Sequence, residues 1–270
     1  MTRCAIIAGR GALPAALVAA MPVAPIVAAL EGFAPDGVAV DMTFRIERLM
    51  PFLRALQDAG VSRVVFAGVV QRPRLDPALF DPDTATLVPR LLAAMGQGDD
   101  ATLREVLAIF AEAGFDLAGV QDIAPALVPG AGVLAGAISP VDEADATRAA
   151  AIVAALGAVD VGQGAVVQQG LCLAVEALPG TDAMLAGVAA LPAALRPDGA
   201  RGRGLFYKAP KPGQDRRIDL PALGVQTVRN AAAAGLGGIV WEAGGVICLS
   251  LAEMQAEARA LGLFLWARGS

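Results

Sequence analysis

The residues best suited to chemistry lie in one short segment near the end of the chain, from Lys208 to Pro221. Lys208 and Lys211 are the two lysines of a chain whose other basic residues are all arginine. Prolines restrict the backbone around them, and Asp219 follows in the same segment. A carboxylate among such cations stays ionised, so it can bind a metal or orient a water molecule. The alternative is a charged loop whose side chains pair with one another and whose aspartate caps a helix.

The absence of histidine restricts the chemistry further. It excludes Ser-His-Asp and Cys-His nucleophile systems and every metal site that needs a histidine ligand. Catalysis must then use carboxylates, lysine, arginine, backbone amides or a cation bound by oxygen, such as Mg²⁺. These groups suit phosphate chemistry better than acyl transfer.

A glycine-rich turn follows the first apolar segment of the chain, residues 4–8, and precedes a helix predicted from Leu13 to Ala20. Backbone amides in such a turn can approach a diphosphate, although a simple strand-to-helix turn has the same pattern. Pro14 stands where a dinucleotide-binding fingerprint has its third glycine, which argues against NAD binding. The candidate substrate contacts in this turn are Gly9, Arg10, Gly11, Ala12 and Leu13.

Other candidates lie where predicted strands end or helices begin. Gly68 and Arg72 follow an apolar strand, and Arg72 would bind a phosphate or form a surface ion pair. Asp99 and Asp100 would bind Mg²⁺, unless capping a helix explains one of them. In the second half of the chain, Gln163 is an amide at the tip of a loop. Thr181 and Asp182 begin a helix, whose N-terminus would bind a phosphate or be capped by its own side chains. The candidates of this half are Gln163, Gly164, Thr181 and Asp182.

The elements that position these residues differ between the two halves. Strands and helices alternate in the first half, which predicts a parallel sheet. One helix there carries an apolar face made of Ile46, Leu49, Met50, Leu53 and Leu56. The second half begins with a helix that Ser139 caps and Gly157 ends. It continues with a hairpin of strands 165–168 and 171–177, in which Glu176 faces outward, then helices at 222–234 and 252–261.

We therefore expect an α/β protein with a Rossmann-like parallel-sheet domain at 1–130 and a C-terminal mixed α/β domain at 134–270. The Pro- and Gly-rich stretch between Pro125 and Pro140 is the predicted linker. A net charge of −5 without a Lys/Arg run argues against nucleic acid as a partner. Three widely spaced cysteines fit a reducing compartment with buried thiols, and prolines interrupt the apolar stretch 11–30, so we expect a cytoplasmic protein.

Taken in order along the chain, these motifs resemble those of the LpxI family. The segments that carry the resemblance are Ile7–Pro14, Phe66–Gly68 with Arg72-Pro73, Gly98–Asp100, Asp160–Val167, Glu176-Ala177 with Gly180–Leu185, Lys208–Pro212 and Asp219–Pro221. They extend over nearly the whole chain, which makes the resemblance stronger than any single motif. One departure is Arg10, which stands where family members usually have a third glycine.

The resemblance implies hydrolysis of UDP-2,3-diacylglucosamine to UMP and 2,3-diacylglucosamine 1-phosphate (lipid X) in lipid A biosynthesis. It implies attack of water on the lipid-side phosphorus and a divalent cation such as Mg²⁺, and it places the family's essential aspartate at Asp219. Asp219, with Asp99 and Asp100 as further metal candidates, would bind the cation or orient water. Lys208 and Lys211 would stabilise charge on the diphosphate.

The same resemblance implies a cytosolic enzyme that works at the face of the inner membrane, with only transient membrane contact; a homodimer is compatible with it. Two hypotheses from other classes stay open. One is an NAD(P)-dependent oxidoreductase that uses the first turn. The other is a non-enzymatic cytosolic lipid carrier, which would need neither Asp219 nor a metal.

Overall fold

The computed structural model describes residues 3–71 and 74–269, except for the side chains of Asp99 and Asp100. The candidate phosphate contact Arg72 lies outside the described residues. The chain divides into two compact units, Met1–Ala124 and Pro125–Ser270. Within the described ranges, no helix is long and apolar enough to cross a membrane.

The N-terminal unit is built on a sheet of five parallel strands, as the sequence predicts. In chain order these are β1 (Arg3–Ala8), β2 (Ile26–Leu30), β3 (Met42–Phe44), β4 (Val61–Ala67) and β5 (Asp116–Ala118). They lie side by side in the order β3-β2-β1-β4-β5. The chain builds the sheet outward from β1 to β3 on one side and then crosses to β4 on the other side. The position between β1 and β4 is therefore the switch point of this sheet, and open α/β sheets bind ligands at such positions.

The helices of this unit connect the strands and cover the sheet. They are α1 (Leu13–Ala20), α2 (Leu49–Asp58), α3 (Pro82–Ala85), α4 (Val88–Met95), α5 (Asp99–Glu112) and α6 (Val120–Ile123). The predicted limits of α1 are confirmed. Helix α2 follows a 3₁₀ turn and buries Leu49, Leu53 and Leu56 from its predicted apolar face. That face packs into a core that also contains Phe52 and Phe110.

The C-terminal unit has the mixed sheet that the sequence predicts. Its strands are β6 (Gly132–Ala135), β7 (Gly164–Gln168), β8 (Leu171–Val175), β9 (Leu205–Lys208), β10 (Ala222–Leu223), β11 (Gly238–Glu242), β12 (Ile247–Cys248) and β13 (Phe264–Arg268). Six of them form one sheet in the order β6-β13-β11-β9-β7-β8. Strands β9, β11 and β13 are parallel, while β6, β7 and β8 join antiparallel. Strands β10 and β12 form a small separate sheet.

Four helices accompany this sheet in the described residues: α7 (Pro140–Ala158), α8 (Gly180–Ala189), α9 (Val225–Ala233) and α10 (Leu251–Leu261). Helix α7 begins as predicted, because Ser139 and Asp142 cap it reciprocally. Its predicted end at Gly157 is wrong, since the helix continues to Ala158. Gly157 is buried in the last turn, where another segment packs on it.

Two further sequence predictions are wrong in this unit. Residues 132–135 of the predicted linker form β6, an edge strand paired with β13. Residues 222–223, predicted to start a helix, form β10 instead. Strand β13, whose Phe264, Leu265 and Ala267 are buried, was not predicted. Among the thiols, Cys4 and Cys248 are buried as expected, but Cys172 is exposed.

Candidate functional site

Several of the C-terminal candidates meet at the carboxyl end of β9. Lys208 is the last residue of this strand and lies opposite Gly164, the first residue of β7. Because β7 runs antiparallel to β9, the loop that contains Gln163 reaches the same edge, and the Gln163 carbonyl accepts a hydrogen bond from Ala209 N at 3.1 Å. Strand β8 is antiparallel to β7 and also ends there, just before Glu176. Sheet topology thus assembles residues that are far apart in sequence.

Lys208 is buried at this edge and makes three polar contacts. Its Nζ lies 3.0 Å and 3.2 Å from the two carboxylate oxygens of Glu176, and 2.5 Å from Thr181 Oγ1. Burial lowers the pKa of Lys208, while the charges of Glu176 and Asp182 act in the opposite direction. Only 4% of the residue is exposed, so this ion pair lies almost entirely out of water.

The prediction that Glu176 faces outward is wrong. Glu176 lies one residue beyond β8 and is 7% exposed; its backbone N–H donates to Gly164 O at 2.8 Å. Its neighbours leave no room for larger residues. A Cβ on Gly164 would lie 2.5 Å from Glu176 Oε2, and one on Gly162 would overlap the Glu176 carbonyl. These two glycines, which flank Gln163 in the sequence, are the signal that could have revealed a buried partner.

The loop from 209 to 221 links Lys211 to Asp219 through Gln214. Gln214 Oε1 accepts from Lys211 N at 2.8 Å, and Gln214 Nε2 donates to Asp219 Oδ2 at 2.6 Å. The backbone N–H of Asp219 donates to Asp215 O at 3.1 Å. Asp219 is not a helix cap, because Gly224 holds that position before α9. Gln214 was not among the predicted site residues, since an amide between two charged residues has no distinctive spacing.

The remaining charges of this loop pair with acidic residues. Lys211 Nζ lies 2.5 Å from Oδ1 of the exposed Asp160. Arg217 contacts both carboxylate oxygens of Asp215, and Arg216 pairs with Glu242 at 2.7 Å. The alternative of a loop whose charges pair with one another therefore describes Arg217, whereas Arg216 pairs with Glu242 of β11.

Two glycines hold the loop close to its surroundings. A Cβ on Gly157, at the end of α7, would lie 2.6 Å from Pro212 Cδ. A Cβ on Gly245, after β11, would lie 3.0 Å from Pro210 Cδ. Because only glycine fits comfortably at both positions, the chain can bring α7 and the turn after β11 against the Lys211 segment.

Helix α8 begins beside the Lys208 pair. It starts at Gly180 and carries Thr181 and Asp182 in its first turn, where amide groups lack intrahelical acceptors. Asp182 Oδ1 accepts a hydrogen bond from Asn230 Nδ2 at 2.8 Å. Nearby, Gln163 Oε1 is buried and has no hydrogen-bond partner in the described part of the chain. Buried polar atoms of this kind call for an explanation, and a bound polar ligand is one.

The N-terminal candidates meet at the switch point of the first sheet. Gly9 N donates to Ala67 O at 2.7 Å, and the backbones of Arg10 and Val69 exchange two hydrogen bonds. The loop after β1, which leads through Ala12 to the first residue of α1, Leu13, thus lies against the loop after β4. A Cβ on Gly9 would lie 2.6 Å from Val69 O, so this contact requires glycine.

The side chain of Arg10 is directed to the loop after β2. Its Nη2 donates to Gly32 O at 2.8 Å, and its guanidinium carbon lies 5.2 Å from the centre of the Phe33 ring. Arg10 therefore connects the loops that follow β1 and β2.

Comparison with known proteins identifies the family of this chain. The LpxI N-terminal domain matches residues 3–127, and the LpxI C-terminal domain matches residues 130–266. The chain belongs to the LpxI family. One relative in that family is the UDP-2,3-diacylglucosamine pyrophosphatase LpxI of Caulobacter vibrioides (strain ATCC 19089 / CIP 103742 / CB 15). It is 44% identical over 214 residues, which cover 78% of this chain and 76% of the relative.

The metal candidates of this LpxI chain are divided between its two units. Asp99 and Asp100 are the first two residues of α5, and Gly98 is at the N-cap position. The structure does not describe the side chains of these two aspartates. Asp219 lies in the C-terminal unit. Among the described residues, no three His, Cys, Asp or Glu side chains form a group that would hold a metal. Mg²⁺ is commonly held by one or two carboxylates together with substrate phosphates, a donor set to which Asp219 can contribute.

Proposed function

We propose that this LpxI-family protein hydrolyses UDP-2,3-diacylglucosamine to UMP and 2,3-diacylglucosamine 1-phosphate (lipid X). The Caulobacter relative bears the name of a pyrophosphatase for this nucleotide lipid, which supports the substrate class. For this chain the proposal is carried by the loop after β9, in which Gln214 joins the Lys211 backbone to the Asp219 carboxylate. A cation and a carboxylate in one constrained loop suit the hydrolysis of a diphosphate.

In the proposed reaction, water attacks the lipid-side phosphorus. The bond between that phosphorus and the bridging oxygen breaks, UMP leaves with the bridging oxygen, and the water oxygen stays in lipid X. Asp219 orients the water molecule or accepts its proton. The positive charge of Lys211 stabilises the negative charge that develops on the diphosphate, and Lys208 supports this stabilisation from the same sheet edge.

We expect the divalent cation to bind together with the substrate. Asp219 would supply a carboxylate ligand, and the diphosphate would supply phosphate oxygens. Asp99 and Asp100, which belong to the N-terminal unit, are separate candidates for a cation ligand. A cation held in this way would neutralise charge on the phosphate oxygens. The loops after β1 and β4, with Gly9, Gly11 and Gly68, would position the nucleotide or diphosphate through backbone amides, and Arg72 would assist them. Since the substrate is a lipid, the reaction would take place at the cytosolic face of the inner membrane.

The decisive experiment is an assay of purified protein with UDP-2,3-diacylglucosamine, with Mg²⁺ and with EDTA. We expect metal-dependent release of UMP, and a loss of at least about 100-fold in Asp219→Asn, the range for removing a general base. The matched control is Asp215→Asn, which changes an aspartate of the same loop that pairs with Arg217. Near-normal turnover by Asp219→Asn would refute the role of Asp219.

The position of attack is tested by running the reaction in H₂¹⁸O. We expect the label in the phosphate of lipid X and not in UMP. Label in UMP would mean that water attacks the other phosphorus. If the folded wild-type protein shows no turnover, the proposed function fails and the lipid-carrier hypothesis gains support.

A further inference from the structure

Lys208 has no hydrogen-bond donor left for a substrate. An ammonium group has three N–H donors, and three oxygens surround this one: both carboxylate oxygens of Glu176 and the hydroxyl of Thr181. The Lys208 side chain is 5% exposed and that of Glu176 is 10% exposed. A phosphate oxygen could reach Nζ only by displacing one of these partners inside a buried pair.

Thr181, in contrast, has a donor to offer. A hydroxyl has one O–H donor and two lone pairs, and at Thr181 one lone pair accepts from Lys208 Nζ at 2.5 Å. Among the described residues the Thr181 hydroxyl donates no hydrogen bond, and Thr181 is more exposed than Lys208. A hydroxyl that accepts a hydrogen bond from a cation becomes a stronger donor, because neighbouring hydrogen bonds polarise one another.

We propose that Lys208 is a positioning residue that acts through Thr181: held by Glu176, it orients and polarises the Thr181 hydroxyl, which donates to a phosphate oxygen of the substrate. This inference rests on the proposed function, because it names the group that contacts the diphosphate. It assigns Glu176 a part as well, since both oxygens of its carboxylate accept from Lys208 Nζ and hold it in place.

The surroundings of the pair support this arrangement. Gly164 lies so close to Glu176 that a Cβ at this position would be 2.5 Å from Glu176 Oε2, so the carboxylate needs glycine there. The charged groups that act on Lys208 are Glu176, after β8, and Asp182, in α8; both favour its protonated form, whereas burial, the largest influence, lowers its pKa. The contact with Thr181 rests on geometry, because Lys208 Nζ lies 2.5 Å from Thr181 Oγ1.

The test is a double-mutant cycle of kcat/KM with Thr181→Val, Lys208→Met and the double variant. Thr181→Val should lower kcat/KM by about 10- to 100-fold, the range for one hydrogen bond to a charged group. Thr181→Ser should restore most of the loss, because it keeps the hydroxyl. In the Thr181→Val background, Lys208→Met should cause little further loss, since both changes remove the same contact. Thr147→Val makes the same change in α7, outside the site, and should leave kcat/KM unaltered.

Three outcomes would overturn the inference. Wild-type activity of Thr181→Val would show that the Thr181 hydroxyl does not contact the substrate. Failure of Thr181→Ser to restore activity would show that the hydroxyl is not the group responsible for the loss. Fully additive losses would show that Lys208 acts on the substrate independently of Thr181. If Lys208→Met does not fold, Lys208→Met/Glu176→Gln replaces it, because that variant leaves no buried charge. Absence of turnover by the wild type would instead contradict the proposed function.

Discussion

Both sheets of this protein bring glycine-containing loops to the carboxyl ends of parallel strands, but the two edges are built from different groups. At the first edge, Gly9 and Gly68 let two loops join through backbone hydrogen bonds, and Arg10 is directed to a neighbouring loop. At the second edge, Lys208 and Glu176 form a buried ion pair. A backbone surface can position a ligand, whereas paired charges and carboxylates can take part in a reaction. The two edges therefore present different groups to a ligand, backbone amides in the N-terminal unit and a buried ion pair in the C-terminal unit.

The two sheets also contain ion pairs that differ in burial. Arg63 and Asp116 lie opposite each other on β4 and β5, 2.6 Å apart, with 43% and 58% of their side chains exposed. Lys208 and Glu176 lie 3.0 Å apart, with 5% and 10% exposed. An exposed pair contributes at most about 1 kcal/mol. In a buried pair, removal of one partner costs about 3–5 kcal/mol, because the other charge is left without compensation.

The largest expected effect follows from this difference. We expect Lys208→Met to lower the free energy of unfolding of the C-terminal unit by about 3–5 kcal/mol, and Lys208→Met/Glu176→Gln by clearly less. Trp241 and Trp266 are the tryptophans of the chain, so their fluorescence during urea unfolding reports on this unit. The control, Arg63→Met, should cost no more than about 1 kcal/mol by circular dichroism. Equal losses for both single variants would remove the distinction between the pairs.

The second prediction concerns the N-terminal edge, where backbone contacts replace charges. A Cβ on Gly68, at φ +94°, would lie 2.5 Å from Gly9 O, so Gly68→Ala should lower the free energy of unfolding by about 2–4 kcal/mol through overlap and strain. Gly11 has a similar φ of +96° but nothing within 4 Å of its Cβ. Gly11→Ala should therefore cost only about 1–2 kcal/mol. Thermal unfolding followed by circular dichroism compares them, and a similar loss in both would contradict the close contact of the two loops.

The third prediction is a pH effect at the C-terminal edge. Burial lowers the pKa of Lys208 and the charge of Glu176 opposes this, so Glu176→Gln should lower that pKa further. The alkaline limb of the kcat/KM profile should move to lower pH in this variant. Asp182→Asn should move it in the same direction but less, because Asp182 is the smaller influence. An unchanged limb in Glu176→Gln would mean that Lys208 ionisation does not control activity.

The same pKa sets how stability depends on pH. The pKa of Lys208 in the folded protein is lower than its ordinary value, so the unfolded chain binds this proton more tightly. The contribution of Lys208 to the free energy of unfolding should therefore rise with pH between its lowered pKa and 10.5, the ordinary value. Urea unfolding over this pH range, compared between wild type and Lys208→Met/Glu176→Gln, measures this dependence.

Much of the fold could be predicted from local patterns. The α/β class, the parallel N-terminal sheet and the limits of α1 follow from apolar periodicity and from glycine and proline positions. The cap of α7 also follows, because Ser139 and Asp142 have the spacing of a capping box. Strand β6 could not be predicted in this way. Its Gly- and Pro-rich surroundings resemble a linker, and it pairs with β13, which lies far away in sequence.

The candidate site shows the same limit. Lys208, Lys211 and Asp219 stand out because lysines are rare here and lie in one segment. Glu176 does not stand out, because a carboxylate at the end of an alternating strand ordinarily faces water. Its burial depends on the antiparallel order of β9, β7 and β8, which brings it to Lys208 across 32 positions of sequence. Gln214 contacts Asp219 through its side-chain amide, and the partners of that amide are determined by the conformation of the folded loop.

The smallest expected effect tests whether the N-terminal edge binds ligand through its backbone or through Arg10. Arg10→Gly removes the contacts with Gly32 and Phe33, which should lower the free energy of unfolding by about 1 kcal/mol. If backbone amides hold the phosphate, the affinity for UMP, measured by calorimetry, should change by less than about threefold. That is well below the effect of one lost hydrogen bond to a charged group. A loss of about tenfold or more would make Arg10 a direct phosphate contact, and the first edge would then bind the ligand through a charged side chain and not through its backbone alone.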